Sequence, residues 1–211
     1  MVEPVRRIAT LFAGFTLVGS GVAAMITAEL GVAPYDVMVT GLVEVTGLPI
    51  GLVAMIIPIV FTLAGFVLGG RVGPATLLSV LCVGPILQVV LELMPELDAM
   101  AARVVFMLGG FLMIACGITA VLLADLGPGP AEVLMLAIHA RGLGLAVTRT
   151  VIEVTSVAVG WAMGGQVGVG TVVVALGLGP VLRQLLDWAG WSLAHPERPA
   201  DEAVACVEPG V

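Results

Sequence analysis

The stretch AELGVAPYDVM at residues 28–38 returns as ADLGPGPAEVL at residues 124–134, and that recurrence decides how the rest of the chain is read. Glu29 falls on Asp125, Leu30 on Leu126, Gly31 on Gly127, Pro34 on Pro130 and Asp36 on Glu132, each 96 residues apart, with both acids exchanged conservatively. A greasy composition alone does not reproduce such a pattern. Upstream, Arg7, Gly14, Phe15 and Gly21 match Arg103, Gly110, Phe111 and Gly117 at the same spacing. Downstream the spacing drops to 95: Gly47, Gly70, Gly73, Thr76 and Gly84 match Gly142, Gly165, Gly168, Thr171 and Gly179. One unit is therefore written twice, over about 6–95 and about 102–188. A solenoid needs at least three copies to stack a core, whereas two long copies fit an internally duplicated membrane protein.

Composition agrees. The chain is 60% hydrophobic and 11% charged, with a mean hydropathy of +1.18, against roughly 25% charged residues in soluble domains. Residues 8–28, 48–70, 72–91 and 104–124 carry no charge, and each is near the ~20 residues a helix needs to cross hydrocarbon. Residues 146–163 and 167–182 complete the set once the repeat is taken into account. The expectation is an all-α membrane protein of six transmembrane helices in two inverted-topology repeats of three. With an odd number of crossings per copy, the second copy enters the membrane from the opposite side. An inner N-terminus puts Arg6, Arg7, Arg71, Arg141, Arg183 and Arg198 at or near the cytoplasmic face and only Arg103 outside, as the positive-inside bias favours. Both termini are then expected in the cytoplasm. The first apolar run is too long for a signal peptide and reads as a retained span.

Residues 1–188 are thus expected to form one membrane domain, followed by an acidic, disordered tail over 189–211. A net charge of −7 and the absence of lysine speak against a nucleic-acid partner. Cys82, Cys116 and Cys206 have no disulfide or metal-ligand spacing, and neither metal nor cofactor is expected.

Between the first two spans of each copy, residues 34–46 and 130–141 read as a short extra helix, interfacial or re-entrant. Proline suits a first helical turn because its missing N–H costs nothing there, and Asp36 or Glu132 two residues on sits beside the positive end of the helix dipole. That acid is either an N-terminal cap or, if the helix re-enters, a ligand for a cation or proton. A free helix N-terminus would instead suit an anion, and the sequence leaves the sign open. Glu29 and Asp125 end a span each, as markers of the water interface or as further ligands.

The copies disagree at Arg149 and Glu153, one turn apart on the fifth span, where the first copy has Ala54 and Pro58. A central charge costs about 2.5 to 3.5 kcal/mol on insertion scales, so this face is expected to meet protein or water, with a buried Arg–Glu pair as the leading functional candidate. The alternative is an intrahelical ion pair that merely neutralises both groups.

The segments AELGVAPYDV, TGLPIG, RTVIEV and GGQVGVGTVVVALGLGPVL, taken in order, resemble the YczE/YyaS/YitT family of bacterial integral membrane proteins, nearest the YczE branch. The resemblance covers about 6–188 and implies a polytopic plasma-membrane protein, without supplying a substrate. The leading expectation is a small-solute secondary transporter or permease, acting on a small molecule or ion, with Arg149, Glu153, Asp36, Glu132, Glu29 and Asp125 as candidate site residues. The competing expectations are a non-transporting partner of another enzyme or secretion system and a substrate-binding subunit of a larger importer. Glycine-rich third and sixth spans would serve either, or a homodimer. An enzyme is not expected.

Overall fold

A computed structural model describes residues 2–190, so all but the first two residues of the expected tail lie outside the described residues. Eight helices follow in order: α1 (Val2–Ala28), α2 (Pro34–Thr46), α3 (Ile50–Val67), α4 (Pro74–Leu93), α5 (Met100–Ala124), α6 (Pro130–His139), α7 (Leu145–Ala162) and α8 (Val169–Trp188). No strand occurs among the described residues. Helices α1, α3, α4, α5, α7 and α8 are long and apolar enough to cross a membrane, and they are the six expected spans. Helix α8 runs past the expected residue 182 and takes Arg183 and Asp187 into its last turns.

Local chemistry sets the short helices. α2 opens on Pro34 and closes at Gly47, whose positive φ of 67° lets its N–H reach back 2.8 Å to the Val43 carbonyl. α6 also opens on proline but stops at His139, shorter than the expected run to residue 141. There Arg141 folds back, donating to the Ala137 carbonyl at 3.1 Å and to the carbonyl of Leu68 at the end of α3. α4 and α8 start alike. Gly73 N–H donates to Thr76 Oγ1 at 3.1 Å, and Gly168 N–H to Thr171 Oγ1 at 3.2 Å.

The central contact is between α1 and α5. A Cβ placed on Gly14 would stand 2.8 Å from the Gly117 carbonyl oxygen, and one on Gly21 would stand 2.7 Å from that of Gly110. Residues rising along α1 thus meet residues falling along α5, and the two helices run antiparallel. Small side chains allow this approach, which replaces the hydrophobic drive that lipid does not supply. Around the pair, α4 lies on α1 as α8 lies on α5, and α2 crosses α7 as α6 crosses α3. Exchanging α1–α4 for α5–α8 reproduces these pairings, with one exception. α3 packs along α4, whereas α7 barely touches α8.

The core gathers Met25, Val37, Val53, Ile57, Leu87, Met107, Phe111 and Val174 where the short helices meet the spans. Leu63, Phe66, Leu81, Leu112 and Leu176 stay exposed on the outer faces, an apolar surface far too continuous for water and suited to lipid.

Candidate functional site

The first turns of α2 and α6 line one cavity of about 330 Å³ in company with all six spans. Its walls pair off by repeat: Val18 with Ile114, Val22 with Ile118, Pro34 with Pro130, Asp36 with Glu132, and Leu87 with Leu182. Pro58 and Glu153, which also occupy matching positions, come from the middle of α3 and α7. The cavity therefore sits where the two copies meet, level with mid-span residues.

Its two halves differ in bulk and charge. On the first-copy side Tyr35 packs edge-on against Phe61, with ring centroids 5.3 Å apart. The matching residues, Ala131 and Ser156, are small and leave space. Into the wall of that second half come Arg149 and Glu153 in place of Ala54 and Pro58. Arg149 Nε donates to Glu153 Oε1 at 2.9 Å, the i,i+4 geometry expected on one helix face.

The expectation of a buried pair is corrected here. The two side chains keep 32% and 33% of their exposure, because α7 lacks a neighbour in α8 and its flank stays open. The unfavourable insertion of two charges is relieved by their mutual pairing and by the cavity rather than by burial.

Asp36 and Glu132, equivalent in sequence, behave differently. The Glu132 carboxylate folds back over Gly129 and its own backbone N–H at the start of α6, and it lies within the field of Arg149. It caps its helix. Asp36 has no ion-pair partner among the described residues, and its accessible surface faces the cavity. Helix α2 is not one of the spans; burial there pushes the Asp36 carboxyl up to about 7. Beside it the Tyr35 hydroxyl is enclosed with no hydrogen-bond partner, and burial, with the nearby acids Asp36 and Glu132, raises its ionisation well above the usual phenol value. The hydroxyl therefore stays protonated, with a donor and an acceptor both unmet.

The remaining two candidates lie elsewhere. Glu29 pairs with Arg103 at 2.7 Å, and Asp125 stands 3.8 Å from Arg7. These are matching contacts under the repeat, one at each end of the antiparallel α1 and α5. Both acids sit at positive φ, 54° and 51°, just past the helix ends. They fasten helix termini and do not line the cavity. Tyr35 was absent from the sequence candidates. A comparison of the copies for side-chain size, in addition to charge, would have exposed Tyr35 against Ala131 and Phe61 against Ser156.

Six apolar helices around a mainly apolar cavity that carries a few charged groups define a multi-pass α-helical membrane protein. The chain belongs to the family of unknown function DUF6198, whose model matches residues 5–187. It is 30% identical to the uncharacterized membrane protein YczE of Bacillus subtilis (strain 168) over 199 residues, 89% of this chain and 92% of that one. It is 29% identical to an uncharacterized protein of Haemophilus influenzae over 183 residues, 86% of this chain and 84% of that one. The resemblance to the YczE branch read from the sequence is thereby confirmed. No solved structure matches.

Proposed function

We propose that the chain is a small-solute secondary transporter of the bacterial plasma membrane, with both termini cytoplasmic, a carrier rather than a catalyst. One observation carries the reading: a single cavity is walled by equivalent residues of two copies whose first helices run antiparallel. In duplicated carriers the site lies at the interface of inverted repeats, presented by short or broken helices near the midplane. Here the first turns of α2 and α6 play that part. Arg149 and Glu153 give the site its charge asymmetry.

The same logic assigns two gates. The α3–α4 seam is closed: a Cβ on Gly84 would stand 2.5 Å from the Gly51 carbonyl oxygen, and Gly51 N–H donates to Gln88 Oε1 at 2.9 Å. In the α7–α8 seam Ala146, Gly179 and Arg183 hold the matching positions, and Gly179 has nothing within 4 Å. Closing one seam as the other opens would expose the site alternately. The test is uptake of a panel of labelled small solutes into proteoliposomes under an imposed pH gradient. Accumulation of a solute that Gly179→Leu suppresses supports the reading; no accumulation of any solute opposes it.

The open seam also favours a second reading. Val172 and Leu176 of α8 are exposed beside the unfilled Gly179, a surface on which the helix of a membrane partner or a second copy would fit. Cellular function retained when Arg149 and Glu153 are both made apolar, with a fixed protein co-purifying, would select it.

A further inference from the structure

We infer that the cavity binds a lipophilic monocation, an organic amine with an apolar body, held by Asp36 and Tyr35. The location rests on the transport reading above; the ligand class rests on the cavity's own chemistry. Three carboxylates, Asp36, Glu132 and Glu153, face one guanidinium, Arg149. The two helix N-termini add about half a positive charge each. If all groups are ionised, roughly one negative charge is left over, and the contacts show where. Glu153 is spent on Arg149 at 2.9 Å, and Glu132 on the start of α6 and the field of Arg149. Asp36 is the acid without a partner.

Next to it the enclosed Tyr35 hydroxyl lacks any hydrogen bond. Buried polar atoms are nearly always satisfied, so an orphan hydroxyl on a residue of the cavity wall points to a ligand. Once a ligand uncovers it, its oxygen accepts an N–H of an ammonium, and its ring, packed on Phe61, attracts a cation electrostatically. The rest of the wall suits an apolar body, with Val18, Val22, Ile114, Ile118 and Leu178 around it. Its volume lies at the lower end of the ~300–1,000 Å³ usual for small-molecule sites. The incomplete wall between α7 and α8 gives a membrane-dissolved amphiphile a lateral way in.

The probe is 2-phenylethylamine, titrated by calorimetry into the full chain in nanodiscs with the heat into empty nanodiscs subtracted. The comparison ligands are 2-phenylethanol, 3-phenylpropionate and benzyltrimethylammonium. The amine is expected to bind saturably, one per chain, and at least about tenfold more tightly than the alcohol or the carboxylate. Asp36→Asn weakens it by about tenfold or more, while Glu29→Gln leaves it unchanged. Should Asp36→Asn fail to fold, Tyr35→Phe decides. It is expected to weaken the primary amine about three- to tenfold but not the quaternary ammonium, which has no N–H to donate. Carboxylate binding as tight as the amine, amine heat equal to that of empty nanodiscs, or an undiminished affinity in a folded Asp36→Asn protein would each overturn the inference. Amine binding without flux sinks the transport reading alone, and flux of an anion without amine binding sinks this one alone.

Discussion

Gly21 of α1 and Gly110 of α5 face each other so closely that a Cβ on the first would stand 2.7 Å from the second's carbonyl oxygen, and a Cβ on the second 2.6 Å from the first's. Neither backbone can yield without parting the central pair. Gly110→Ala is therefore expected to cost about 1–3 kcal/mol, the usual range for overpacking. Gly109, one residue earlier, has nothing within 4 Å, and Gly109→Ala is expected to be neutral or modestly stabilising. Thermal denaturation of the two variants in the same detergent reads the difference directly; equal midpoints would remove the close-packing account of α1 and α5.

Gly179 offers the matching test of motion. Its surroundings are empty in this state, so Gly179→Leu should fold with a melting midpoint near that of the parent. If the α7–α8 seam must close as the α3–α4 seam has closed, the added side chain props it open. Transport is then expected to fall at least about tenfold, as for a blocked gate, with stability kept. Full transport by Gly179→Leu would show that this seam does not close during the cycle.

Much of this arrangement was legible in the residues. Pro34 and Gly47 delimit α2, because proline starts and positive-φ glycine stops a helix; Pro130 likewise starts α6, but that helix ends at His139, short of Gly142. The spans follow from length and apolarity, and the repeat follows from identity at fixed offsets. What was hidden depends on packing. Glu29 and Asp125 looked like Asp36 and Glu132, as acids in a repeated turn, and only the antiparallel crossing of α1 and α5 brings Arg103 and Arg7 to the first pair. The exposure of Arg149 and Glu153 turns on the missing α7–α8 contact, a property of tertiary structure that the helix's own sequence does not contain.

That ion pair sets a third expectation. Arg149→Met leaves Glu153 without its partner and Glu132 without its nearest compensating charge, whereas Arg149→Met with Glu153→Leu removes the first of these problems. Partial exposure tempers both. The single variant is expected to lose about 1 kcal/mol and the double variant less, as when a whole pair is replaced rather than broken. Equal losses in thermal or denaturant unfolding would mean that the pair contributes nothing as a pair.

Glu29 combines a favourable and an unfavourable feature at one residue. Its φ of 54° is a left-handed conformation that costs a residue with a Cβ about 1–2 kcal/mol. Its pairing with Arg103, 60% exposed on the Glu29 side, returns only about 0–1 kcal/mol. Glu29→Gly is thus expected to be neutral or stabilising, Glu29→Gln slightly destabilising, and Glu29→Val the worst of the three because branching at Cβ aggravates the strain. The order of the three melting midpoints checks the balance, and Glu29→Gly below Glu29→Gln would reverse it.

On the proposed carrier reading the proton enters through Asp36, whose carboxyl burial pushes up to about 7. The charged and titratable groups facing it across the cavity are Tyr35, Glu132, Arg149 and Glu153. Tyr35 is raised by burial and stays neutral near pH 7, and Glu132 is raised by burial but opposed by its own N–H and Arg149. Below pH 7 the Asp36 carboxyl holds a proton and an ammonium loses its counter-charge; above it the carboxylate is free. Amine affinity is accordingly expected to fall about tenfold between pH 8 and pH 6, as follows for one carboxyl titrating midway. Asp36→Asn should flatten that dependence, because the site then has no proton to exchange for the cation. Such an exchange is what a pH gradient needs to drive the amine outward, so a profile that keeps its slope in Asp36→Asn would move the coupling proton to another acid of the cavity.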